Sequence, residues 1–510
     1  MRSVLIAALF ASACMSDEPI ADELVDVEQA LTAPPAGTRL GVIGDSIALA
    51  THSDDMCGNS AELGSCLDNR LGVHDAAWSY ASGTQSWSFP RRLGYASGYV
   101  RNAAADGAGW SAALAQAKAL TADGSVRDVL INLGANDVCA PRGASYVGKL
   151  ASISTSIDGT LTELTNKLPA GATIYWAGVL DVVSLRNAMA TRRHDHTFGS
   201  CQALWDLDSD NVTTEAAWSL CKDYLGSDLL CRYTADWGKV RDWLLGLFKS
   251  YMSSQYGVDE FACGKVLSSK STATDRAEAA QFNIDLNNLM AQKAAQYNGR
   301  NGVQVKFTNA LYTQRVYPYY VSKLDCFHPS RAGQLALGST LANAFVATPR
   351  TDAYFADEFE NTDDCTQEFT TWGSCWQRVT PSQSNIRVDY DGDGSLRIQK
   401  YTSQQQVGYA QRKVDLSGKS SAWFSFVHRR DKFDSSTDRV DFHVSTDGVA
   451  WTRLDYYQGS GNDRGWQAGK YYDLTPYRSS TTWIRFQNNN SDSMRDGDRV
   501  NFDKLVMIAW

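Results

Sequence analysis

The sequence lacks three features that would each place it in a large class of proteins. No stretch is apolar for long enough to form a transmembrane helix, so we expect membrane attachment only through a lipid. No basic excess is present: 48 Lys and Arg against 57 Asp and Glu give a net charge of −9, which argues against a general nucleic-acid-binding protein. No CxxC pair occurs, and His194 and His196 have no neighbouring cysteine pair, which disfavours a zinc site.

Length and composition predict a folded protein with more than one domain. The 510 residues are too many for one ordinary domain and suggest two or three. Apolar residues make up 43% and charged residues 21%, which permits a packed core and excludes wholesale disorder. Fifteen Trp and 23 Tyr favour β-structure and aromatic binding surfaces over a helical bundle.

The N-terminus is typical of an exported protein. Residues 1–14 combine one Arg, a short apolar run and small residues that end at Cys14, as a secretory signal does. The segment resembles a bacterial lipoprotein signal, in which this cysteine is lipidated; an ordinary signal peptide with an incidental cysteine is the alternative. We expect export from a bacterium, with the protein secreted or lipid-anchored at the cell surface or in the periplasm. Residues 15–37 are acidic and end in a Pro-containing stretch, which predicts a linker.

The cysteine count supports export. Without Cys14, ten of the eleven cysteines remain, and an even number in an exported chain predicts disulfides. Cys57 with Cys66 and Cys365 with Cys375 are the local pairs that we predict. The other six could pair in several ways, which the sequence leaves open: Cys139, Cys201, Cys221, Cys231, Cys263 and Cys326.

The chain divides into two regions of different periodicity. Within residues 38–348, short apolar strands (40–43, 129–133 and 174–179) alternate with helical patterns (110–120 and 335–345), which predicts an α/β fold with a parallel sheet. Residues 349–354 read as a junction. Within residues 355–510, alternating strands such as 422–426, 440–444 and 483–486 are separated by turn-forming stretches, which predicts an antiparallel β-sandwich.

A serine motif follows the first predicted strand. Gly44-Asp45-Ser46 comes directly after the apolar stretch that ends at Ile43. A serine at a strand-to-helix turn presents its hydroxyl above the edge of the sheet, where a nucleophile is needed. The G-x-S-x-G motif of nucleophile-elbow hydrolases does not occur.

A second motif places an acid and a base three residues apart. In Asp325-Cys326-Phe327-His328-Pro329, the carboxylate can fix the tautomer of the imidazole, and the imidazole can accept a serine proton. The alternative is a plain helix-start turn, because Pro329 begins an apolar-periodic helix. The order Ser, Asp, His is that of hydrolase triads on α/β sheets.

Two further motifs can supply hydrogen-bond donors to an oxyanion. Asn136 lies in Gly134-Ala135-Asn136-Asp137, after the strand at 129–133, and its carboxamide can donate. Residues 102–107 begin with an Asn and end at Gly107, where the absence of a Cβ lets a backbone N–H approach the same oxygen.

The four motifs, in this order, resemble those of the SGNH (GDSL) hydrolase family over residues 38–348. The resemblance implies a three-layer α/β/α domain that hydrolyses esters with no cofactor for catalysis. It implies that Ser46 is the nucleophile, His328 the general base and Asp325 the residue that orients His328. It also implies an oxyanion hole formed by the Ser46 backbone N–H, Gly107 and Asn136.

Two features depart from the compact family pattern. The stretch between Asn136 and Asp325 is long, and we interpret residues 185–265 as a disulfide-rich helical insertion beside the active site. Asp137 matches the family motif, and we assign it a structural role. Cys139 and Cys326 resemble the phospholipase-B-type branch of the family.

Residues 355–510 resemble the jelly-roll modules appended to secreted bacterial enzymes. The resemblance rests on the segments at 355–360, 445–451, 472–477 and 500–505. It implies a polysaccharide partner and a structural Ca²⁺ between the first and last strands. Asp357, Glu360 and Asp503 are the candidate ligands, because clustered carboxylates suit a hard cation.

Three functions follow from these features. The leading hypothesis is a secreted serine ester hydrolase of the esterase, lipase or phospholipase type that cleaves acyl esters through an acyl-enzyme. The second is a carbohydrate esterase that removes acetyl groups from a polysaccharide to which the second domain binds. The third is a non-catalytic binding protein. No nucleic-acid partner is expected.

Overall fold

The computed structural model describes parts of both predicted domains. In the first, it describes residues 34–50, 79, 88–96, 98–192, 200–206, 263–322 and 326–345. In the second, it describes residues 353–357, 359, 369–370, 375–380, 384–389, 395–400, 407–461, 463, 467, 471–488, 494 and 497–510. No helix within these ranges has the length and apolar character that crossing a membrane requires.

A parallel sheet of five strands forms the centre of the first domain. Its strands, in the spatial order β2-β1-β3-β4-β5, are all parallel to their neighbours. The strands are β1 (Arg39–Gly44), β2 (Val100–Asn102), β3 (Val126–Asn132), β4 (Thr173–Ala177) and β5 (Gln304–Thr308). The three strands predicted from apolar runs correspond to β1, β3 and β4. These strands are almost wholly buried, as is usual in parallel sheets, and this is why the runs are continuous.

Helices connect these strands, as the alternating pattern predicts. The described helices are α1 (Ser46–Leu49), α2 (Phe89–Arg92), α3 (Trp110–Thr121), α4 (Ala135–Val138), α5 (Lys149–Lys167), α6 (Val182–Met189), α7 (Cys201–Trp205), α8 (Gly264–Leu267), α9 (Ala273–Tyr297), α10 (Ala310–Thr313) and α11 (Arg331–Phe345). The longest helix, α9, begins with a capping box in which Thr272 and Asp275 exchange hydrogen bonds. The helical patterns predicted at 110–120 and 335–345 correspond to α3 and α11.

The described strands of the second domain form two antiparallel sheets. One has the spatial order β15-β12-β17-β10-β9, with β6 paired to β17 and β7 paired to β6, and the other has the order β14-β13-β16-β11-β8. The strands are β6 (Ala353–Asp357), β7 (Phe369–Thr370), β8 (Gln377–Val379), β9 (Ser384–Asp389), β10 (Ser395–Lys400), β11 (Tyr409–Val414), β12 (Ala422–Asp431), β13 (Arg439–Ser445), β14 (Thr452–Gln458), β15 (Tyr471–Asp473), β16 (Thr482–Asn488) and β17 (Asp498–Ala509). The structure thus confirms an α/β domain followed by an all-β sandwich.

The sandwich packs against the α/β domain through its last strand. Leu505 and Met507 of β17 belong to the core of the sandwich, whereas Val506, Ile508 and the following Trp510 belong to the core of the α/β domain. Because successive side chains of a strand point to opposite faces, both faces of β17 are covered. Among the described residues, the core of the α/β domain includes side chains of the sheet that contains β17 but none of the other, which we call the free sheet.

Candidate active site

Ser46 lies at the first turn after β1, in the position that the motif predicts. Asp45 precedes it as the N-cap of α1, and its Oδ1 accepts a hydrogen bond from Ile47 N at 2.9 Å. Ser46 is buried, with 5% of its surface exposed. The sequence forms this turn because a capping aspartate ends an apolar strand and begins a helix within three residues.

Gly44 is required by the close packing around this turn. A Cβ at this position would lie 2.6 Å from Ala48 Cβ, which no side chain tolerates without a shift of the helix. The buried side chain of Gln116 on α3 fixes both polar groups of Gly44, since Oε1 accepts from Gly44 N at 2.9 Å and Nε2 donates to Gly44 O at 3.0 Å. The sequence analysis missed Gln116, because one glutamine in a helical pattern gives no sign of a partner 72 residues away.

The structure brings His328 and Ser46 together across 282 residues. Nε2 of His328 lies 2.7 Å from Oγ of Ser46, within hydrogen-bond distance, and both side chains are buried. The backbone on either side of the histidine is fixed, since Ser322 N donates to His328 O at 2.8 Å and Val321 pairs with Pro329. Asp325, the predicted third member, lies outside the described residues.

Two disulfides attach both ends of the predicted insertion to the motif segments. Cys201 pairs with Cys326, two residues before His328, and Cys139 pairs with Cys263. These pairings resolve four of the six cysteines that the sequence left open. Cys375 is also disulfide-bonded, whereas Cys57, Cys66 and Cys365 lie outside the described residues.

The two proposed oxyanion-hole segments lie beside the serine turn. Ala105 N donates to Gly44 O at 3.2 Å, which aligns the segment leading to Gly107 with the end of β1. Gly107 has a φ of +69°, a conformation that favours glycine. Nδ2 of Asn136 donates to Ala108 O at 3.0 Å, so its amide lies next to the Gly107 turn.

Asp137 has the geometry of a structural residue. Its Oδ2 accepts from Trp110 N at 2.9 Å and so satisfies a backbone donor at the start of α3. Gly109 leaves room for this carboxylate, since a Cβ there would lie 2.9 Å from both of its oxygens. Burial raises the pKa of Asp137, and the bond from Trp110 opposes that effect.

Burial has a larger effect on Asp45. Desolvation raises the pKa of this carboxyl from 3.8 to about 7, although the hydrogen bond from Ile47 N favours the charged form. The carboxylates of Asp137 and Asp106 add to the increase. A carboxyl group that changes charge near neutral pH therefore precedes the proposed nucleophile in the sequence.

An apolar pocket lies against the segment that carries His328. Phe327 and Pro329, on either side of the histidine, both line it. Gln314, Arg315 and Tyr320 supply the polar groups of a mainly apolar wall. The main apolar residues of that wall are Leu180, Leu185, Leu311, Val316, Val321 and Leu337.

The free sheet of the sandwich carries an arginine stacked between aromatic rings. The guanidinium of Arg485 lies 3.5 Å from the ring centroid of Trp451 and 4.1 Å from that of Tyr409. Its Nε donates to Gln411 Oε1 at 2.9 Å. Arg485 points outward, because its neighbours Ile484 and Phe486 lie in the core. We call Arg485, Trp451, Tyr409 and Gln411 the Arg485 stack.

The predicted calcium ligands are only partly described. Asp357 lies at the end of β6 and Asp503 on the adjacent β17, whereas Glu360 lies outside the described residues. Oδ1 of Asp357 accepts from Phe359 N at 3.0 Å, and Oδ2 accepts from Trp376 Nε1 at 2.9 Å. A cation at this position would have to share both oxygens with N–H donors, so these contacts do not favour it.

Comparisons with known proteins give no family for the chain. No family model matches it, and no curated protein matches it. Similar solved structures include TmCBM61 in complex with β-1,4-galactotriose, at 11% identity over 29% of this chain and 92% of that one, with a TM-score of 0.21. A family 29 carbohydrate-binding module is 12% identical over 31% and 90%, with a TM-score of 0.21. The K3 cleaved adhesin domain of Lys-gingipain from Porphyromonas gingivalis is 12% identical over 30% and 98%, with a TM-score of 0.23. At such scores these similarities carry no argument about function.

Proposed function

We propose that this protein is a serine ester hydrolase in which Ser46 is the nucleophile and His328 the general base. The observation that carries the proposal is the 2.7 Å distance between Ser46 Oγ and His328 Nε2, at a turn that follows a strand of a parallel sheet. Nucleophile and base within hydrogen-bond reach are the minimum that acyl transfer requires.

The reaction proceeds through an acyl-enzyme. His328 accepts the Ser46 proton as Oγ bonds to the ester carbonyl carbon, and the carbonyl oxygen becomes negatively charged. The bond to the alcohol oxygen then breaks, and the alcohol leaves with the proton from His328. Water attacks the acyl-enzyme by the same route and regenerates Ser46. Asp325 is the residue proposed to orient the imidazole.

The oxyanion is proposed to accept hydrogen bonds from the backbone N–H groups of Ser46 and Gly107 and from Nδ2 of Asn136. The existing bond from Asn136 to Ala108 leaves one amide hydrogen for the substrate. We expect Asn136→Ala to lower turnover by about 10²–10³-fold, the usual effect of losing one such donor.

Hydrolysis of nitrophenyl esters from acetyl to palmitoyl tests the proposal. We expect Ser46→Ala to lower turnover by at least about 10³-fold, because the substitution removes the nucleophile. The fold should be unchanged, because the alanine side chain is smaller than the buried serine that it replaces. Ser152→Ala, an exposed serine on α5, is the matched control and is expected to retain activity. Full activity in Ser46→Ala would contradict the proposed site.

We propose that the acyl chain of the substrate enters the apolar pocket lined by Phe327 and Pro329, the residues on either side of His328 in the sequence, and that a long acyl chain is therefore preferred over acetyl. The wall of this pocket offers Leu, Val and Phe side chains, against which an acyl chain gains by leaving water, although neither His328 nor Ser46 is among the residues that line it. Turnover is therefore expected to rise with chain length until the pocket is full. A sharp optimum at acetate would instead favour the carbohydrate esterase.

The Arg485 stack favours a glycan-binding role for the sandwich as the second candidate function. Aromatic rings and a fixed guanidinium on the free sheet can stack on sugar rings and donate hydrogen bonds to them. Retention on insoluble polysaccharides tests this role. Trp451→Ala is expected to lower retention while nitrophenyl ester hydrolysis stays unchanged; equal retention by both proteins would remove the assignment. Retention without any esterase activity would favour the non-catalytic binding protein.

A further inference from the structure

Three aspartates from separated parts of the sandwich converge at one point. Asp434 and Asp438 lie in the loop between β12 and β13, and Asp498 is the first residue of β17. One carboxylate oxygen from each lies within 4.8 Å of those of the other two. Asp438 and Asp498 are fully buried, whereas Asp434 is exposed. None of the three was among the calcium ligands predicted from the sequence.

Asp438 has one carboxylate oxygen that accepts no hydrogen bond from the described residues. Its Oδ2 accepts hydrogen bonds from Asp434 N at 2.9 Å and from Ser435 N at 2.7 Å. Its Oδ1 is buried and, within the described part of the chain, accepts no hydrogen bond. A buried carboxylate oxygen without a donor is strongly unfavourable. A cation bound to this oxygen would remove that penalty.

We propose that Asp434, Asp438 and Asp498 form a Ca²⁺ site. The described ligand atoms are all carboxylate oxygens, which select hard cations. Two oxygens that each bind one Ca²⁺ at about 2.4 Å can lie at most about 5 Å apart, and the spacing within the cluster meets this limit. Calcium suits the site better than magnesium, because it accepts irregular coordination, with water completing the sphere beside the exposed Asp434.

Two lysines, Lys432 and Lys400, are competing sources of positive charge. The ammonium of Lys432 lies close to Gly497, since a Cβ there would be 3.7 Å from its Nζ. Lys400 is fully buried and lies directly opposite Asp498 in the ladder between β10 and β17. If these two ammonium groups neutralise the three carboxylates, the protein will bind no ion there.

A cation at this position would connect the two sheets. The loop that carries Asp434 and Asp438 runs from β12 of one sheet to β13 of the other, and Asp498 begins the strand that packs against the α/β domain. Binding to the folded state alone stabilises it by mass action. At a Ca²⁺ concentration of about 100 times Kd, we expect the melting temperature to rise by roughly 5–10 °C.

Calorimetric titration of the EDTA-treated full-length protein with CaCl₂, together with thermal melting, tests the site. We expect Asp434→Asn and Asp438→Asn each to bind one Ca²⁺ fewer per protein molecule than the wild type. Asp434 is exposed, so its variant is expected to fold even if Asp438→Asn does not. Asp415→Asn, an exposed aspartate of the same domain that is not part of the cluster, is the control and is expected to bind as the wild type does.

Asp503→Asn distinguishes the Asp434, Asp438 and Asp498 site from the Ca²⁺ site that the sequence analysis predicts between the first and last strands of the sandwich. No Ca²⁺ binding by the wild type would overturn the proposal. Full binding by both Asp434→Asn and Asp438→Asn would also overturn it. Binding lost only in Asp503→Asn would move the ion to the site predicted from the sequence and would equally overturn the assignment made here.

Discussion

Replacing Asp45 by Asn is expected to change how stability depends on pH. Asp45 is 1% exposed and caps α1 through one hydrogen bond, from Ile47 N. Asn can accept the same bond and has nearly the same shape, so the helix cap is retained. What the substitution removes is a carboxyl group that must be charged in a buried site at alkaline pH.

The magnitude follows from the two pKa values. Folding raises the pKa of Asp45 from 3.8 to about 7, so between these values the folded protein binds more protons than the unfolded chain. Stability therefore falls as the pH rises through this window. About three pH units separate the two values, at about 1.4 kcal/mol for each, which gives at most about 4 kcal/mol. We expect Asp45→Asn to be more stable than the wild type at pH 8 by up to this amount and to differ little at pH 4.

Urea unfolding at several pH values between 4 and 8 measures this difference directly. Asp415→Asn is an informative control, because hydrogen bonds from Ser417 lower the pKa of the exposed Asp415. That carboxylate contributes stability above its unfolded pKa, so its loss should have the opposite sign. Parallel pH profiles for the wild type and Asp45→Asn would refute the argument that burial controls this carboxyl group.

Two further predictions concern the packing of the domains and the disulfides. Ile508→Ala removes a fully buried side chain between the sandwich and the α/β core and should cost about 2–5 kcal/mol in urea unfolding, whereas Val449→Ala, at an exposed position, should cost almost nothing. Equal stabilities would show that β17 is not packed on both faces. Replacing Cys201 and Cys326 together by Ser opens a loop of 125 residues and should cost about 2–5 kcal/mol. The double variant should also lower ester turnover, because the disulfide holds the segment that carries His328. An unchanged melting temperature together with unchanged turnover would contradict this prediction.

The sequence was sufficient to predict those parts of the fold that depend on residues close together in the chain. The apolar run at 40–43 predicts β1, and the motif that follows predicts the turn at Ser46, because strand burial and helix capping are local effects. The order of the motifs also led to the pairing of His328 with Ser46. Parallel strands bring their carboxyl ends to one edge of a sheet, so residues far apart in the sequence can meet there.

Features that depend on three-dimensional contact could not be predicted in this way. The disulfide from Cys201 to Cys326 spans 125 residues, and cysteine spacing alone does not select such a pair. The convergence of Asp498 with Asp434 and Asp438 likewise depends on how β17 lies beside the loop after β12. The packing of β17 on both faces could have been predicted from the sequence. Residues 505–510 form a continuous apolar run rather than an alternating one, which is typical of a strand covered on both faces.

This packing connects the sandwich to the proposed catalytic base. Arg331, at the start of α11, lies three residues after His328 and is buried. Its Nη1 donates to Ser425 Oγ on β12 at 2.6 Å, and its guanidinium lies 5.2 Å from the ring centroid of Tyr471 on β15. The side chain of Arg331 is thus held by residues of the second domain, and these contacts restrain the helix that follows His328. The sandwich is therefore part of the support of the proposed active site, whatever ligand its free sheet binds.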